Sequence, residues 1–311
     1  MSKDLGTIGQ PIGNLFPQPA TPAAWAQHAL NAEQVRHYRE FGYVKPVRVF
    51  DDRQVDALLQ EFDRVVHPDN PGNEFFYEYN SNESASPNLV LFHALGAWRV
   101  MPNLHDVLWC PAFRMPAYQL LGTPYRLFHD QLFCKPAGHG GVVNWHQDYS
   151  YWTWTTPMSH LTCWIALDDV TIENGCMYFV PKSHTWGLLP RTALSGNMDT
   201  VRDLLSPDQN RAFDSRVPVE LKRGEASFHH PLLMHGSYEN RSQRPRRATL
   251  INVFSDGVIS NREDNSPNAP GADNYPRVPK GAKMGGTYYP LLFDPVRELG
   301  PGHAVPTMDV V

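Results

Sequence analysis

Residues 144–148 place a histidine and an aspartate two positions apart inside an apolar, aromatic run. In a β-strand, side chains two residues apart share a face, so His146 and Asp148 would direct an imidazole nitrogen and a carboxylate oxygen to one point. A metal such as Fe(II) accepts this pair when a second histidine arrives from elsewhere, and such a set leaves coordination positions open for other ligands. The alternative is an ordinary hydrogen-bonded pair, which the spacing alone does not exclude.

His235 is the best candidate for the third ligand, because it follows a predicted strand and precedes a Gly-Ser pair. In a jelly roll, strands that are far apart in sequence lie side by side, so His235 can reach the strand that carries His146. His229 and His230 are rivals, and packing or hydrogen bonding next to a ligand is the simpler interpretation of both. An ordinary structural role is at least as good an interpretation as metal binding for three other histidines, His129, His160 and His184.

The composition is that of an ordinary folded protein. The chain has 311 residues, of which 41% are hydrophobic and 19% charged, and its net charge is −5 without a basic stripe. We therefore expect no nucleic-acid partner and no membrane partner. No apolar run reaches the roughly 18 residues of a membrane span, and the N-terminus lacks the apolar core of a signal peptide. The four cysteines form no CxxC motif, so we expect free thiols and a cytoplasmic location.

Ahead of this region, the sequence predicts two helices around a short strand at 43–47. Asn31 is a typical N-cap, and Gly42 is a typical helix end. The second helix begins at Asp51 or Asp52, since either side chain can cap it, and its apolar residues recur at helical spacing. This apolar stripe consists of Val55, Leu58, Leu59, Phe62, Val65 and Val66.

From Tyr125 onwards, the hydrophobic pattern changes to short runs bounded by turn residues. These runs lie at 126–136, 142–148, 160–166, 176–180, 217–221, 226–230 and 248–254. The pattern favours a β-sandwich or barrel over a parallel α/β sheet. We therefore predict a mainly β fold with flanking helices (α+β). The long polar insertion at 185–215 is of a length that often covers a site.

The remaining segments predict irregular or interrupted structure. Residues 67–88 predict a long polar loop, and residues 104–121 predict a helix interrupted at Pro111 and Pro116. The chain therefore divides into an N-terminal arm (1–30), a single domain (31–295) and a C-terminal tail (296–311). Within the domain we expect a helical part (31–124), a jelly-roll core (125–256) and an irregular wrap (257–295).

Three sequence motifs resemble the phytanoyl-CoA dioxygenase family over about residues 30–295. The motifs are His146-Gln147-Asp148, then Asn174-Gly175-Cys176-Met177 leading to Ser183-His184, then Gly224-Glu225 leading to His235-Gly236-Ser237. The resemblance implies a double-stranded β-helix, which is a jelly-roll, cupin-like fold. It also implies that His146, Asp148 and His235 are the metal ligands at the catalytic centre. The implied cofactors are Fe(II), the cosubstrate 2-oxoglutarate and O2.

The distal carboxylate of 2-oxoglutarate needs a cationic partner, because an unpaired buried charge is costly. Residues 244–247 contain three arginines, whose guanidinium groups suit a carboxylate. In family members the binding arginine follows the second histidine by eleven positions, which corresponds to Arg246. Strand alternation then points Arg247 to the opposite face. The other positions that match cosubstrate contacts of the family are Trp164 and Ser237, and less closely Gln131, Lys135 and Gln147.

The resemblance implies that 2-oxoglutarate is decarboxylated to succinate and CO2 while a C–H bond of a second substrate is hydroxylated. Halogenating relatives lack the carboxylate ligand, so Asp148 argues against halogenation. A CoA thioester would need basic groups, and none cluster outside residues 241–247. We expect a small molecule that is apolar or ring-bearing, because aromatic residues flank the triad strand. The predicted walls of its pocket are Phe128, His129, Tyr149, Tyr151 and Trp152.

Two other functional classes stay open at this point. A cupin-type metal enzyme, such as an isomerase or a dioxygenase without a cosubstrate, would use the triad but would not need Arg246. A non-catalytic protein of the same fold would bind 2-oxoglutarate or metal without turnover, and the intact triad argues against it.

Overall fold

The computed structural model describes residues 3–67, 69–86, 88–263 and 276–302. Parts of the expected wrap (264–275) and of the expected tail (303–311) lie outside the described residues. The helices are α1 (Pro22–Ala26), α2 (Ala32–Phe41), α3 (Asp52–Val65), α4 (Pro102–Asp106), α5 (Pro111–Leu121), α6 (Pro207–Asp214) and α7 (Pro295–Leu299). The strands are β1 (Tyr43–Arg48), β2 (Glu78–Asn80), β3 (Phe92–Leu95), β4 (Tyr125–Lys135), β5 (Val143–His146), β6 (Thr155–Thr156), β7 (His160–Ala166), β8 (Met177–Phe179), β9 (Val217–Val219), β10 (Glu225–His229), β11 (His235–Ser237), β12 (Arg246–Ser255), β13 (Ile259–Ser260) and β14 (Leu291–Phe293).

Two antiparallel sheets form the framework of the fold. The larger sheet has the strand order β1-β10-β7-β12-β4-β3-β2, with β14 also pairing with β4. The smaller sheet has the order β5-β11-β8-β9, and β6 pairs separately with β13. This antiparallel arrangement is that of a jelly roll whose sheets do not close into one barrel. The predicted mainly β fold with flanking helices is confirmed.

Strand alternation gives the larger sheet one face for helices and another for a cavity. On β7, Leu161, Cys163 and Ile165 belong to the apolar core that also contains residues of α3 and α5. Thr162 and Trp164 point to the other face and line the cavity. The helices therefore support the sheet from outside, while the side chains on its inner face remain available for chemistry.

The predicted helix boundaries near the N-terminus are confirmed. The Asn31 side chain accepts a hydrogen bond from the Gln34 backbone N–H, and the Gln34 side chain accepts one from the Asn31 backbone. Gly42 ends α2 with φ 85°, a left-handed conformation that costs glycine little. Asp51 caps α3, which at 14 residues is well short of the roughly 20 needed to span a membrane, and none of the described helices qualifies as a span. The fully buried members of the predicted stripe are Val55, Leu58, Phe62 and Val65.

Several local predictions are wrong where tertiary pairing decides the structure. The predicted loop at 67–88 contains β2, whose three residues become a strand only because β3 lies beside them. The helix break occurs at Cys110, just before Pro111 as predicted, but α5 continues through Pro116, with Phe113 and Tyr118 of this helix buried in the core. His235 follows β10 as predicted, but it also begins a further short strand, β11, which the sequence did not indicate.

The burial of α3 leads to a test of the core. We expect Leu58→Ala to lower the free energy of unfolding by about 2–5 kcal/mol, because a fully buried leucine leaves a cavity. Leu59→Ala is the matched control, since Leu59 is only partly buried on the same helix. Urea unfolding followed by circular dichroism measures both values, and equal losses would contradict the orientation of α3.

Candidate metal centre and active-site cavity

A cavity of about 460 Å³ lies between the two sheets. Its wall includes side chains of β4, β7, β10 and β12 from the larger sheet and of β5, β8 and β11 from the smaller one. Residues 191–195 form a further part of the wall, as expected for an insertion that covers a site. Cavities of this size hold small-molecule ligands, and this one contains all three of the predicted metal-binding side chains.

His146, Asp148 and His235 converge as the predicted triad. His146 pairs with His235 across β5 and β11, which brings together two residues that are distant in sequence. The Nε2 atoms of His146 and His235 lie 3.4 Å and 3.5 Å from Asp148 Oδ1. One potential ligand atom from each residue lies within 4.8 Å of the others, which is close enough to hold one metal ion. The ordinary hydrogen-bonded pair considered from the sequence does not account for the third side chain.

Backbone hydrogen bonds select the histidine tautomers that a metal requires. His146 Nδ1 lies 2.7 Å from the Asn144 carbonyl oxygen, and His235 Nδ1 lies 2.9 Å from the Leu233 carbonyl oxygen. A carbonyl only accepts, so each Nδ1 carries the proton and each Nε2 keeps its lone pair. Burial, together with the nearby His146, lowers the pKa of His235 to about 3, so this imidazole is neutral at neutral pH.

The Asp148 carboxylate is oriented by the larger sheet. Asp148 begins a 3₁₀ turn, and the preceding Gln147 is still extended, so alternation keeps Asp148 on the face of His146. Its Oδ2 accepts a 2.6 Å hydrogen bond from the Thr162 hydroxyl and lies 3.1 Å from His229 Nε2. Burial would raise the pKa of Asp148, but His235, His146 and His229 together hold it well below its ordinary value. The carboxylate is therefore ionised, with Oδ1 directed toward the two Nε2 atoms.

Arg246 occupies another part of the cavity as a buried cation. Its side chain is 2% exposed, its Nη2 donates a 3.2 Å hydrogen bond to the Gly175 carbonyl, and its Nε has no partner. Within the part of the chain that the structure describes, no carboxylate lies within ion-pair distance of Arg246. Its guanidinium lies 5.3 Å from the centre of the Trp164 ring. Burial lowers the pKa of Arg246 to about 10, so it stays charged at neutral pH.

Arg247 points away from the cavity, in agreement with strand alternation. Its backbone N–H and guanidinium bind Asp168, with Nη2 2.9 Å from Oδ1, and Nη1 reaches Asp63 on α3 at 2.8 Å. Arg247 therefore ties β12 to the outer helix layer, which is a structural role.

The structure brings some of the predicted cosubstrate residues to the cavity and leaves others outside it. Trp164, Ser237 and Gln131 line the cavity. Lys135 does not line the wall. It donates a 2.7 Å hydrogen bond to the hydroxyl of Ser237, which does line it. Its pKa is held well below the ordinary value by burial and by the nearby Arg246. A direct cosubstrate contact from Lys135 stays a prediction.

Gln147 is also absent from the cavity wall, because its amide holds other segments together. It donates to the Gly187 and Leu232 carbonyls at 2.9 Å and 2.8 Å and accepts from the Leu189 N–H at 2.7 Å. This arrangement fixes the start of the covering insertion, while the expected contact of Gln147 with a cosubstrate stays a prediction. Strand alternation already places Gln147 on the face opposite to His146 and Asp148, and this is the signal in the sequence that separates the two roles.

Four of the five predicted pocket-wall residues line the cavity, namely Phe128, His129, Tyr151 and Trp152. A β-bulge opposite Asn252 and Val253 lets the consecutive residues Phe128 and His129 both reach it. Tyr149 is the exception, because its hydroxyl donates to the Thr155 carbonyl at 2.6 Å outside the cavity wall. The cavity residues that the sequence did not indicate include Thr162, Glu78, Glu83 and His93.

Comparison with known proteins agrees with this geometry. Residues 38–248 match the sequence model of the phytanoyl-CoA dioxygenase (PhyH) family. The chain belongs to the phytanoyl-CoA dioxygenase family. A phytanoyl-CoA dioxygenase of Arabidopsis thaliana is 39% identical over 124 residues, which is 40% of this chain and 42% of that protein. A methylphosphonate hydroxylase of Gimesia maris is 31% identical over 244 residues, which is 74% of this chain and 84% of that protein.

Solved structures of similar fold include the non-heme alpha ketoglutarate dependent epimerase SnoN from nogalamycin biosynthesis. It is 25% identical in sequence, its TM-score is 0.67, and the match covers 88% of this chain and 98% of that one. The family match and this neighbour agree with the jelly-roll fold described above.

His229 and His235 lie close together in the structure, but its geometry gives them different roles. We expect His235→Ala to abolish tight Fe(II) binding, since it removes one of three metal-facing atoms. His229→Ala should keep the site and lower the affinity by about 10–100-fold, because it removes only a partner of Asp148. Anaerobic metal titration measures both effects. His230→Ala, whose side chain lies outside the cavity wall, is the control. Loss of binding in the His229 variant with retention in the His235 variant would reverse the assignment.

Proposed function

We propose that this protein is an Fe(II)- and 2-oxoglutarate-dependent oxygenase. It uses O2 to hydroxylate or otherwise oxidise a C–H bond of a small-molecule substrate, with release of succinate and CO2. His146, Asp148 and His235 would hold the iron, and Arg246 would bind the distal carboxylate of 2-oxoglutarate. The family membership and the geometry of the cavity both support this assignment.

The donor set supports Fe(II) as the metal. Two imidazoles and one ionised carboxylate are the 2-His-1-carboxylate set of non-haem Fe(II) oxygenases, which leaves coordination positions for other ligands. Thr162 and His229 would hold Asp148 as a ligand through one oxygen, since both contact its Oδ2. When bound, the iron and 2-oxoglutarate supply the oxidising power that breaks the C–H bond.

The observation that carries the proposal is the unpaired charge of Arg246. Metal-binding residues alone would serve many enzymes, including a cosubstrate-independent one. A buried guanidinium without a carboxylate partner is costly, and a bound carboxylate in the same cavity as the triad would offset that cost. Ser237 lines the same cavity, and Lys135 holds its hydroxyl in place.

The chain's remaining contribution is to orient the substrate and exclude water. Phe128, Tyr151 and Trp152 support an apolar or ring-bearing portion of the substrate, because aromatic side chains bury large apolar areas. Gln147 anchors the covering insertion next to the triad strand, which would keep this wall closed during turnover. We expect the protein to act in the reducing cytoplasm, in agreement with the free thiols of Cys110, Cys134, Cys163 and Cys176.

The proposed function is tested by anaerobic titration of the Fe(II)-loaded protein with 2-oxoglutarate. A weak visible charge-transfer band is expected as the cosubstrate chelates the iron. If no band develops at saturating 2-oxoglutarate, the protein belongs to another class of metal enzyme.

The two neighbouring arginines allow a matched test of cosubstrate binding. We expect Arg246→Gln to raise the apparent KM for 2-oxoglutarate by at least about 100-fold, since breaking one side of a buried charge pair costs roughly 3–5 kcal/mol. Iron content should stay unchanged. Arg247→Gln should change this KM by less than about fivefold, because its partners Asp168 and Asp63 lie outside the cavity. A large effect at Arg247 alone would contradict the orientation of β12, and no effect at either arginine would contradict the assignment of 2-oxoglutarate.

A further inference from the structure

Three titratable side chains form an acidic cluster on another part of the cavity wall. The acidic cluster consists of Glu78 on β2, Glu83 in the following loop and His93 on β3. His93 Nδ1 lies 2.8 Å from Glu83 Oε2 and 4.0 Å from Glu78 Oε1. The cluster shares its cavity with Asp148 and Arg246, and neither the family motifs nor the triad uses it.

The acidic cluster carries negative charge that its own residues do not neutralise. Among the described residues, His93 is the only basic side chain within ion-pair distance of Glu78 or Glu83. Two carboxylates therefore face a single imidazole. The two glutamate side chains are 28% and 23% exposed, so a cation can reach them without rearrangement of the sheet.

His93 gives an independent sign that the acidic cluster binds a ligand. The residue is 5% exposed, yet neither of its ring nitrogens has a hydrogen-bond partner, and Glu83 Oε2 also has none. The 2.8 Å contact between them therefore lacks the alignment of a hydrogen bond. The ring is fixed by stacking on Phe133, with centroids 4.3 Å apart and planes 9° apart. Buried polar groups are normally satisfied, so this local shortage of hydrogen bonds points to a ligand beside the acidic cluster.

Strand pairing places the acidic cluster on the same inner face of the larger sheet as the metal centre. Glu78 pairs with Leu95, Leu95 with Gln131, and Gln131 with Leu250, so these residues form one row across the inner face. Glu78 on β2 lies four strands from β7, which carries Thr162, and this separation is roughly 19 Å at about 4.8 Å per strand. Side chains extend inward from both ends of this span. A small molecule can therefore contact the acidic cluster with one end and approach the triad with the other.

We propose that the primary substrate carries an ammonium group that Glu78 and Glu83 bind. This inference rests on the proposed function, because it assigns a second point of contact to the same substrate. An ammonium group donates three hydrogen bonds and carries the positive charge that would pair with the two carboxylates. The aromatic side chains of the wall add favourable contacts for a cation and for its apolar chain. The substrate class that follows is an amine with an apolar or ring-bearing body.

A divalent metal is the other cation that two carboxylates and an imidazole could hold, and the observations favour the amine. Glu78 Oε1 already accepts a 2.6 Å hydrogen bond from the Asn80 side chain, which a metal ligand atom would have to share. The 2.8 Å contact of His93 with Glu83 would have to open to admit an ion between the two atoms. An ammonium group needs neither change, because it can bind at the open side of the carboxylates.

The test uses three six-carbon probes that differ in charge: n-hexylamine, hexan-1-ol and hexanoate. Calorimetry measures their binding to the Fe(II)- and 2-oxoglutarate-loaded protein without oxygen. We expect hexylamine to bind at least about tenfold more tightly than the other two, on the scale of a charge-assisted hydrogen bond. The double variant Glu78→Gln/Glu83→Gln should lose this preference while it keeps its affinity for 2-oxoglutarate, which shows that the cavity is intact.

The matched control is Glu40→Gln, an exposed glutamate outside the cavity that pairs with Lys182. This control should keep the full preference for hexylamine. Equal binding of the three probes, no binding of hexylamine, or a preference that survives the double variant would each overturn the inference. Titration with Mn(II) adds a further outcome. Two bound ions per chain, with the second lost in the double variant, would show that the acidic cluster is a metal site and would also overturn it.

The anaerobic charge-transfer band separates failure of this inference from failure of the proposed function. If the band forms but the probes show no cation preference, the oxygenase assignment stands and the ammonium group is wrong. If the band does not form, the oxygenase assignment itself fails. The single variant Glu83→Gln provides an additional measurement, since it removes one charge and should reduce the preference without abolishing it.

Discussion

The hydrogen bonds to Asp148 Oδ2 are the interaction on which the site depends. Asp148 follows β5 of the smaller sheet, whereas Thr162 and His229, which contact its Oδ2, belong to the larger sheet. The same contacts therefore hold the two sheets together at the cavity and leave Oδ1 directed toward the two imidazoles. Because the carboxylate is ionised and nearly buried, loss of these partners would expose an uncompensated charge to a low-dielectric interior. Sheet packing and ligand geometry are thus parts of one constraint.

The cavity has charged groups of opposite sign in different places, and this sets the orientation of anything that binds there. Arg246 provides a cation without an ion-pair partner among the described residues, while Glu78 and Glu83 provide anions that His93 alone does not neutralise. A buried charge strongly rejects a ligand group of the same sign and favours one of opposite sign. A carboxylate and an ammonium group would consequently enter different parts of the cavity, with the metal centre available to both molecules.

The helices contribute by making one face of the larger sheet inaccessible. α3 and α5 bury the apolar side chains of β7 and β12, and Arg247 adds ion pairs to Asp168 and to Asp63 on α3. Strand alternation then directs every second residue into the cavity, so an outward hydrophobic pattern and an inward polar pattern coexist on the same strands. This separation explains why a polar, charged cavity can exist without weakening the core.

The sequence by itself determined the strand-rich fold and the capped helices α2 and α3, because each follows from local periodicity or from capping chemistry. The candidate triad and Arg246 came from motif positions shared with the phytanoyl-CoA dioxygenase family, since no local pattern links His235 to His146. Only the tertiary structure decided which side chains face the cavity. Gln147 and Lys135 are held by hydrogen bonds to other residues, and a β-bulge directs both Phe128 and His129 into the cavity. The acidic cluster could not be predicted at all. Glu78 and Glu83 lie in a stretch without periodicity. They lie next to His93 only because β2 and β3 pair at the edge of the larger sheet. The free energy of this pairing comes from the neighbouring strands and not from the local sequence.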